Sequence, residues 1–202
     1  QPRSRGLGDV YKRQVTPLCL AFPMLIGVFM HQGIGLQAFN AMPTRKAVHA
    51  LYECCSCVTL AGDLAAARPY PNHNALFRRA DALLFSLSED SIDDILQAYP
   101  KIGRRPRSVP SHAEPCALWD DRPGVMQLLD SSAASYEAKF GFQFVMYVSP
   151  ECTVASVIAA IADRMHHDAE TERKALRNEI AKLNRSRLER MLGPEGGYDN
   201  WA

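Results

Sequence analysis

Only one stretch of this chain alternates as a β-strand does: FQFVMYVS, residues 142–149, where aromatic and β-branched residues follow one another at a period of two. A lone extended segment cannot make a sheet. Apart from that stretch, the chain from residue 36 onward carries helical periodicity broken by loop signals, which predicts an all-α fold: a multi-helix bundle with one central irregular loop.

Pro43 suits a first helical turn, and Ala47, Ala50, Leu51 and Cys54 then recur at helical spacing, with Cys54, Cys55 and Cys57 reading as one helix. A short apolar piece, Leu60 to Ala67, stops at ARPYPNHN, whose two prolines and two asparagines make a loop. Asn74 is the expected N-cap of a helix with Leu76, Ala80, Leu83, Leu84 and Leu87 on its apolar face. Ser88 caps another, with Glu89 and Asp90 in its first turn and Ile92, Ile95, Leu96 and Tyr99 inward. Pro100 and Gly103 end it. Four prolines and four arginines between Arg104 and Pro123 then mark the central loop. Val125 to Phe140 is helical on Leu128, Leu129, Ser132, Ala133 and Tyr136; Thr153 opens a helix through Val157, Ile158, Ile161 and Met165. Asp168 caps a final long one, whose seam is Leu176, Ile180, Leu183, Arg187, Leu188 and Met191.

A length of 202 residues with 47% hydrophobic and 22% charged residues allows one sizeable core. The net charge of +1 gives no global electrostatic reason to expect nucleic acid or an anionic membrane as partner. Three of the six cysteines crowd together and three stand alone, which is neither a disulfide framework nor a paired zinc motif. Buried, reduced thiols and a cytoplasmic chain are expected. SRGLGDVYKRQ, residues 4–14, resembles a translated adaptor, and VTPLCLAFPMLIGVFM after it is broken by Pro17, Pro23 and Gly27. Residues 1–35 are therefore read as an artefactual or disordered leader, with Met24 or Met30 as the start of the protein. The helical domain is expected over 36–192 and a tail over 193–202.

Five stretches in order carry a resemblance: FNAMP (39–43), RPY (68–70), YPKIG (99–103), SYEAKFGFQFV (135–145) and the closing EIAKLNRSRLERML. Together they resemble the decarboxylase family that acts on 2-oxo-4-hydroxy-4-carboxy-5-ureidoimidazoline (OHCU) in the uric acid pathway. That resemblance implies cofactor-independent decarboxylation to (S)-allantoin, no metal ligands, a small ureide substrate and a homodimer, with neither nucleic acid nor membrane as partner. It also implies a site on the central loop. Where the family has His-Pro-Arg/Lys-Ile-Gly, with histidine regarded as the main proton-transfer residue, this chain has Tyr99 followed by Pro100. The family's Ser-x-x-Glu-Gln falls on SHAEP, giving Ser111 and Glu114 but Pro115 in place of glutamine, in a loop shorter than usual. Its final-helix arginine falls on Arg187 within KLNRSRL. The catalytic set implied is Tyr99, Glu114 and Arg187. Pro100, Ser111, Pro115 and the segment Phe144, Val145, Met146, Tyr147 and Val148, whose main-chain groups hold substrate in the family, complete the binding set.

These residue types suit the reaction. Arg187 offers a bidentate fork to a carboxylate or carbonyl pair. Glu114 accepts ring N–H bonds, and Ser111 adds an adaptable hydroxyl. Arg187 also stands out without the resemblance, because an arginine on an apolar seam needs a partner. Histidine exchanges protons near neutrality, whereas tyrosine, at about 10, stays protonated. Tyr99 is therefore expected to turn off the helix end toward the loop and direct its hydroxyl at the ligand. Its anion would need Lys101 or Arg187 beside it, and His112 is the alternative proton carrier. A second reading remains open: a catalytically impaired relative that binds ureides or serves as an oligomeric partner.

Overall fold

In a computed structural model of the chain, residues 33–99, 101–102 and 118–194 are described. Among them are eight helices and no strand: α1 (Leu36–Ala41), α2 (Thr44–Cys55), α3 (Val58–Ala66), α4 (His73–Ser86), α5 (Glu89–Ala98), α6 (Val125–Phe140), α7 (Val154–Arg164) and α8 (Ala169–Leu192). The all-α expectation holds, and of the expected central loop, residues 103–117 lie outside the described residues.

Side-chain caps set four of the helix starts. Ser88 Oγ accepts from Ser91 N–H at 3.3 Å, Asp168 from Thr171 N–H at 2.7 Å, and Thr153 forms a reciprocal capping box with Ser156. The cap of α4 is Asn72, not the expected Asn74. Asn72 has extended backbone and its Oδ1 takes the Ala75 N–H at 2.8 Å, which puts Asn74 inside the first turn. The three clustered cysteines do not share a helix either. Ser56 adopts the left-handed conformation, φ 53°, ending α2 at Cys55 and leaving Cys57 to precede α3. On α6, Leu129 and Tyr136 are buried as expected, but Leu128 points outward and is 54% exposed.

Two apolar clusters form the interior. One gathers Phe39, Leu51, Leu60, Leu64, Tyr70 and Leu76 from α1 to α4 with Leu188, Met191 and Leu192. The other gathers Ile92, Ile95, Leu96 and Tyr99 with Leu129, Tyr136, Phe144, Val157 and Ile161, and with Leu176, Ile180 and Leu183. Both clusters draw on α8, a 24-residue helix that at 1.5 Å per residue is roughly 36 Å long. Its last carbonyls, on Arg190, Met191 and Leu192, accept from the N–H groups of Gly33, Ile34 and Gly35 at 3.0, 2.9 and 2.8 Å. Residues 33–35, assigned to the leader from sequence, are therefore hydrogen-bonded to the helical domain.

The strand-like segment has no strand beside it, and α7 and α8 supply its partners. Arg164 Nη1 donates to the Val145 carbonyl at 2.8 Å, and Glu179 Oε2 accepts the Tyr147 N–H at 2.7 Å. Arg164 is itself buried against Phe144 and Tyr136, with its guanidinium carbon 4.6 Å and 5.7 Å from the two ring centroids. Its Nε donates to Oε1 of the fully buried Glu172 at 2.8 Å, and Nη2 donates to the same oxygen. Tyr136 also donates its hydroxyl to Oε1, and His167 Nδ1 lies 2.8 Å from Oε2. Among the described residues no buried side-chain nitrogen or oxygen lacks a partner.

Burial pushes the Glu172 carboxyl upward, but hydrogen bonds from Arg164, Tyr136 and His167 and the charge of Arg164 outweigh it and hold the group below its ordinary 4.5. A depressed carboxyl contributes stability that is complete above the unfolded value and is lost as pH falls through the folded one. Glu172→Gln leaves the Arg164 charge buried without a counter-ion and should cost about 3–5 kcal/mol at neutral pH. Urea titrations should show this loss together with a shallower decline in stability below pH 4.5 than in the parent protein; equal slopes would mean that Glu172 does not carry the acid limb.

Candidate functional site

The site is built where α5 ends. Tyr99 precedes a proline, which disfavours helical backbone, and it sits at the C-cap of α5 with φ −79° and ψ 140°. That much follows the sequence, but its side chain does not turn outward. It continues the buried stripe of Ile92, Ile95 and Leu96, is only 5% exposed, and donates its hydroxyl to Asn184 Oδ1 on α8 at 3.0 Å. The preference for burying a large apolar ring outweighs the change in backbone direction.

Arg187 lies one helical turn after Asn184. Its guanidinium carbon stands 4.6 Å from the centroid of the Tyr99 ring, and its Nη1 donates to the Cys54 carbonyl at 3.2 Å. That carbonyl belongs to the last turn of α2, where main-chain oxygens have no partner within the helix. The half-buried arginine on the seam is thus satisfied by an aromatic face and a helix end rather than by bulk water.

The extended segment is tied to the same helix end. Gln143 donates through Nε2 to the Leu96 carbonyl and, at 3.2 Å, to the Tyr99 carbonyl, so segment 143–148 is fastened to the end of α5. Within the segment Phe144, Val145 and Val148 are buried, and Met146 and Tyr147 are half-buried. Two of its main-chain groups are already engaged: the Val145 carbonyl by Arg164 and the Tyr147 N–H by Glu179. Lys101, the other cation considered beside Tyr99, is salt-bridged to Glu137 at 2.9 Å on the exposed side.

Tyr99 and Arg187 therefore meet, although 88 residues separate them, and Gln143 ties the start of the extended segment to the Tyr99 carbonyl. Pro100, Ser111, His112, Glu114 and Pro115 lie outside the described residues. Asn184 and Gln143 were not anticipated. Asn184 left one signal, a polar side chain one residue after Leu183 and four before Leu188 on the buried seam. Gln143 left none beyond its place in a strand-like run.

The neighbouring thiols are not nucleophiles. Burial pushes the Cys55 thiol up to about 12 and raises Cys54 further, and Cys54 Sγ rests 3.9 Å from Met191 Sδ. Both are free cysteines, as expected of small buried hydrophobes. Among the described residues no group of His, Cys, Asp and Glu side chains is arranged to hold a metal ion, and no helix is long and apolar enough to cross a membrane. A separate open groove of about 550 Å³ runs between Asp81 and Phe85 on α4 and Asn178, Lys182 and Arg185 on α8. Its cations are paired, Arg185 with Asp81 at 2.9 Å and Lys182 with Glu179 at 2.6 Å.

Other motifs of the resemblance hold the frame. Asn40 of FNAMP brackets Tyr70 of RPY, donating to its carbonyl at 2.8 Å and accepting its N–H at 2.9 Å. Arg68 donates to the carbonyls of Phe39 and Met42 at 2.7 and 2.6 Å. The family model for OHCU decarboxylase matches residues 40–189, from within this first motif into the last. The chain belongs to the OHCU decarboxylase family. Among solved structures it is similar to an OHCU decarboxylase crystallised in the presence of (S)-allantoin, at 20% identity and a TM-score of 0.60, over 70% of this chain and 95% of that one. It is also similar to an (S)-allantoin synthase, at 16% identity and a TM-score of 0.63, over 79% of this chain and 54% of that one. At these identities the likeness is one of fold. No curated protein matches the chain in sequence.

In this member of the OHCU decarboxylase family the Gln143 fastening makes a direct prediction. Gln143→Leu keeps most of the volume but removes the two hydrogen bonds that Gln143 gives to carbonyls at the end of α5, and should destabilise the protein by about 1–3 kcal/mol. Hydrogen exchange should show the Tyr99 amide, bonded to the Leu96 carbonyl at 3.2 Å, exchanging faster than in the parent protein. An unchanged amide would mean that other contacts hold this helix end.

Proposed function

We propose that the protein is a decarboxylase of OHCU, releasing carbon dioxide to leave (S)-allantoin without a cofactor. The observation that carries this reading is the family match over residues 40–189 together with the meeting of Arg187 and Tyr99 at the α5–α8 junction. In the reaction the bond from C4 to the carboxylate breaks, its electron pair forms a C4=C5 double bond, and the ring imine electrons move onto the nitrogen and its conjugated carbonyl. Carbon dioxide leaves, the ureido-bearing C5 takes a proton on one face, and the C4 hydroxyl passes its proton to the ring nitrogen as C4 becomes a carbonyl. Arg187 supplies the cation for the carboxylate and for the oxyanion that develops. Glu114 accepts the ring and ureido N–H groups, Ser111 adds a hydroxyl bond, and Pro100, Pro115 and main-chain groups of Phe144 to Val148 shape the pocket. Tyr99 occupies the proton-transfer position.

One observation favours the second reading, a ureide-binding relative without turnover. The Tyr99 hydroxyl is nearly buried and its proton is directed at Asn184, so this position lacks the freely exchanging group that a histidine provides. A homodimer in the cytoplasm is part of the same proposal.

Freshly generated OHCU, followed by circular dichroism at neutral pH, decides between the two readings. The decarboxylase reading expects turnover, a loss of about 100-fold or more in kcat/KM for Arg187→Ala, and a higher rate for Tyr99→His, which returns a group able to exchange protons at pH 7. Wild type and Tyr99→His both inactive while still binding (S)-allantoin would replace it with the binding reading. Sedimentation at micromolar concentration should give a dimer; a monomer alone would remove that part of the proposal.

A further inference from the structure

Asn184 and Arg187 are three residues apart on α8 and hold the same residue of α5 at two points. Asn184, only 3% exposed, takes the Tyr99 hydroxyl at 3.0 Å, while Arg187 covers the face of the ring at 4.6 Å. A phenol gripped at its oxygen cannot swing about Cα–Cβ without breaking that hydrogen bond, and the core packed around the ring restrains its twist, so the face it offers to the guanidinium is held in place. The guanidinium is also anchored at the Cys54 carbonyl at 3.2 Å, a contact that constrains one nitrogen but not the tilt of the plane. A flat aromatic face 4.6 Å away does constrain the tilt.

We infer that Asn184 is a positioning residue of this site, acting through Tyr99 on Arg187, and that Tyr99 serves as the platform for the arginine rather than as the source of the proton. A fork that must meet a carboxylate or carbonyl pair in one plane gains from having its own plane set beforehand. The kinetic half of this inference rests on the decarboxylase reading; the structural half does not.

The test uses Asn184→Leu, Tyr99→Phe and the double variant of the full chain. Each single change removes the same hydrogen bond from opposite sides. Each should lower kcat/KM for OHCU by about tenfold, and the double variant should be no worse than either. The second readout is the guanidinium Nε–H resonance of Arg187, assigned by its loss in Arg187→Lys. Ring current from Tyr99 displaces this signal in the parent protein, and both single variants should move it toward the position of an unstacked arginine. If Asn184→Leu fails to fold, Tyr99→Phe with the same resonance carries the test alone. Parental kcat/KM and an unmoved resonance in the folded variants overturn the inference. So does a loss of 100-fold or more for Tyr99→Phe with Asn184→Leu near parental, because the hydroxyl would then be the reacting group. Absence of turnover in the parent protein, with the resonance responding as expected, removes the decarboxylase reading and leaves the positioning role standing.

Discussion

The buried contact between Arg164 and Glu172 is what permits a strand-like segment to exist in a protein whose described residues hold no sheet. Backbone N–H and C=O groups taken out of water need partners, and a strand without a neighbouring strand does not provide them. Arg164 reaches the Val145 carbonyl with one nitrogen while the others are turned to Glu172. Burying the pair costs several kcal/mol per ion, offset by three donors on one carboxylate, so it is weak as a stabiliser and strong as a specifier of geometry. With the segment pinned there, Phe144 and Val145 enter the core and Gln143 is carried to the end of α5. Tyr99 is held in turn by Gln143, so the site inherits its position from an ion pair that takes no part in it.

α8 gives the arrangement its stiffness. It contributes Glu172 to that ion pair, Glu179 to the Tyr147 N–H, Ile180 and Leu183 to one cluster, Leu188 and Met191 to the other, and Asn184 and Arg187 to the site. It also grips the α4–α5 junction through Arg177, which donates to the Leu84 and Leu87 carbonyls at 3.2 and 3.1 Å and to Glu89 at 2.6 Å. A single continuous helix keeps these groups in fixed phase: residues three or four apart share a face whatever happens at the ends. The Asn184 and Arg187 contacts with Tyr99 are therefore coupled by α8 as well as by the ring between them.

Much of this architecture was legible from residue spacing, because it rests on local physics. Ser88, Thr153 and Asp168 announce helix starts with side chains that reach only three residues ahead, and α6 begins and ends at the expected Val125 and Phe140. The misses lie where a local rule had two solutions. Asn72 and Asn74 are both competent caps, and only the extended backbone at Asn72 selects between them. Leu128 satisfies the same periodicity as Leu129, yet the apolar stripe of α6 is narrower than the pattern allowed. The candidate site was legible in half. Arg187 declared itself by standing on an apolar seam, while Asn184 and Gln143 act on groups 85 and 44 residues away. Spacing along the chain holds no information about such contacts until the fold has brought them together.

The family motifs separate by what they touch, and this bears on how far membership carries chemistry. Asn40, Arg68, Tyr70 and Tyr136 all lie in motif stretches, and each bonds to a backbone group or buried side chain that the fold requires. Losing any of them would unpair a buried polar group, so stability alone is enough to retain them. The departures from the family pattern fall instead at Tyr99 and Pro115, in motifs that the resemblance ties to the ligand. A tyrosine reaches further than a histidine from the same backbone position, and here the extra length is taken up by crossing to α8, where Asn184 receives its hydroxyl. Having crossed, the ring becomes part of the interior and presents its face to Arg187. An imidazole at that position would be too short to make the same bond to Asn184, so Tyr99→His gives up the roughly tenfold that the platform contributes while gaining the roughly 100-fold or more that a group exchanging protons near neutrality supplies. The tyrosine, the asparagine and the arginine are thus a matched set, and exchanging one changes the geometry available to the other two.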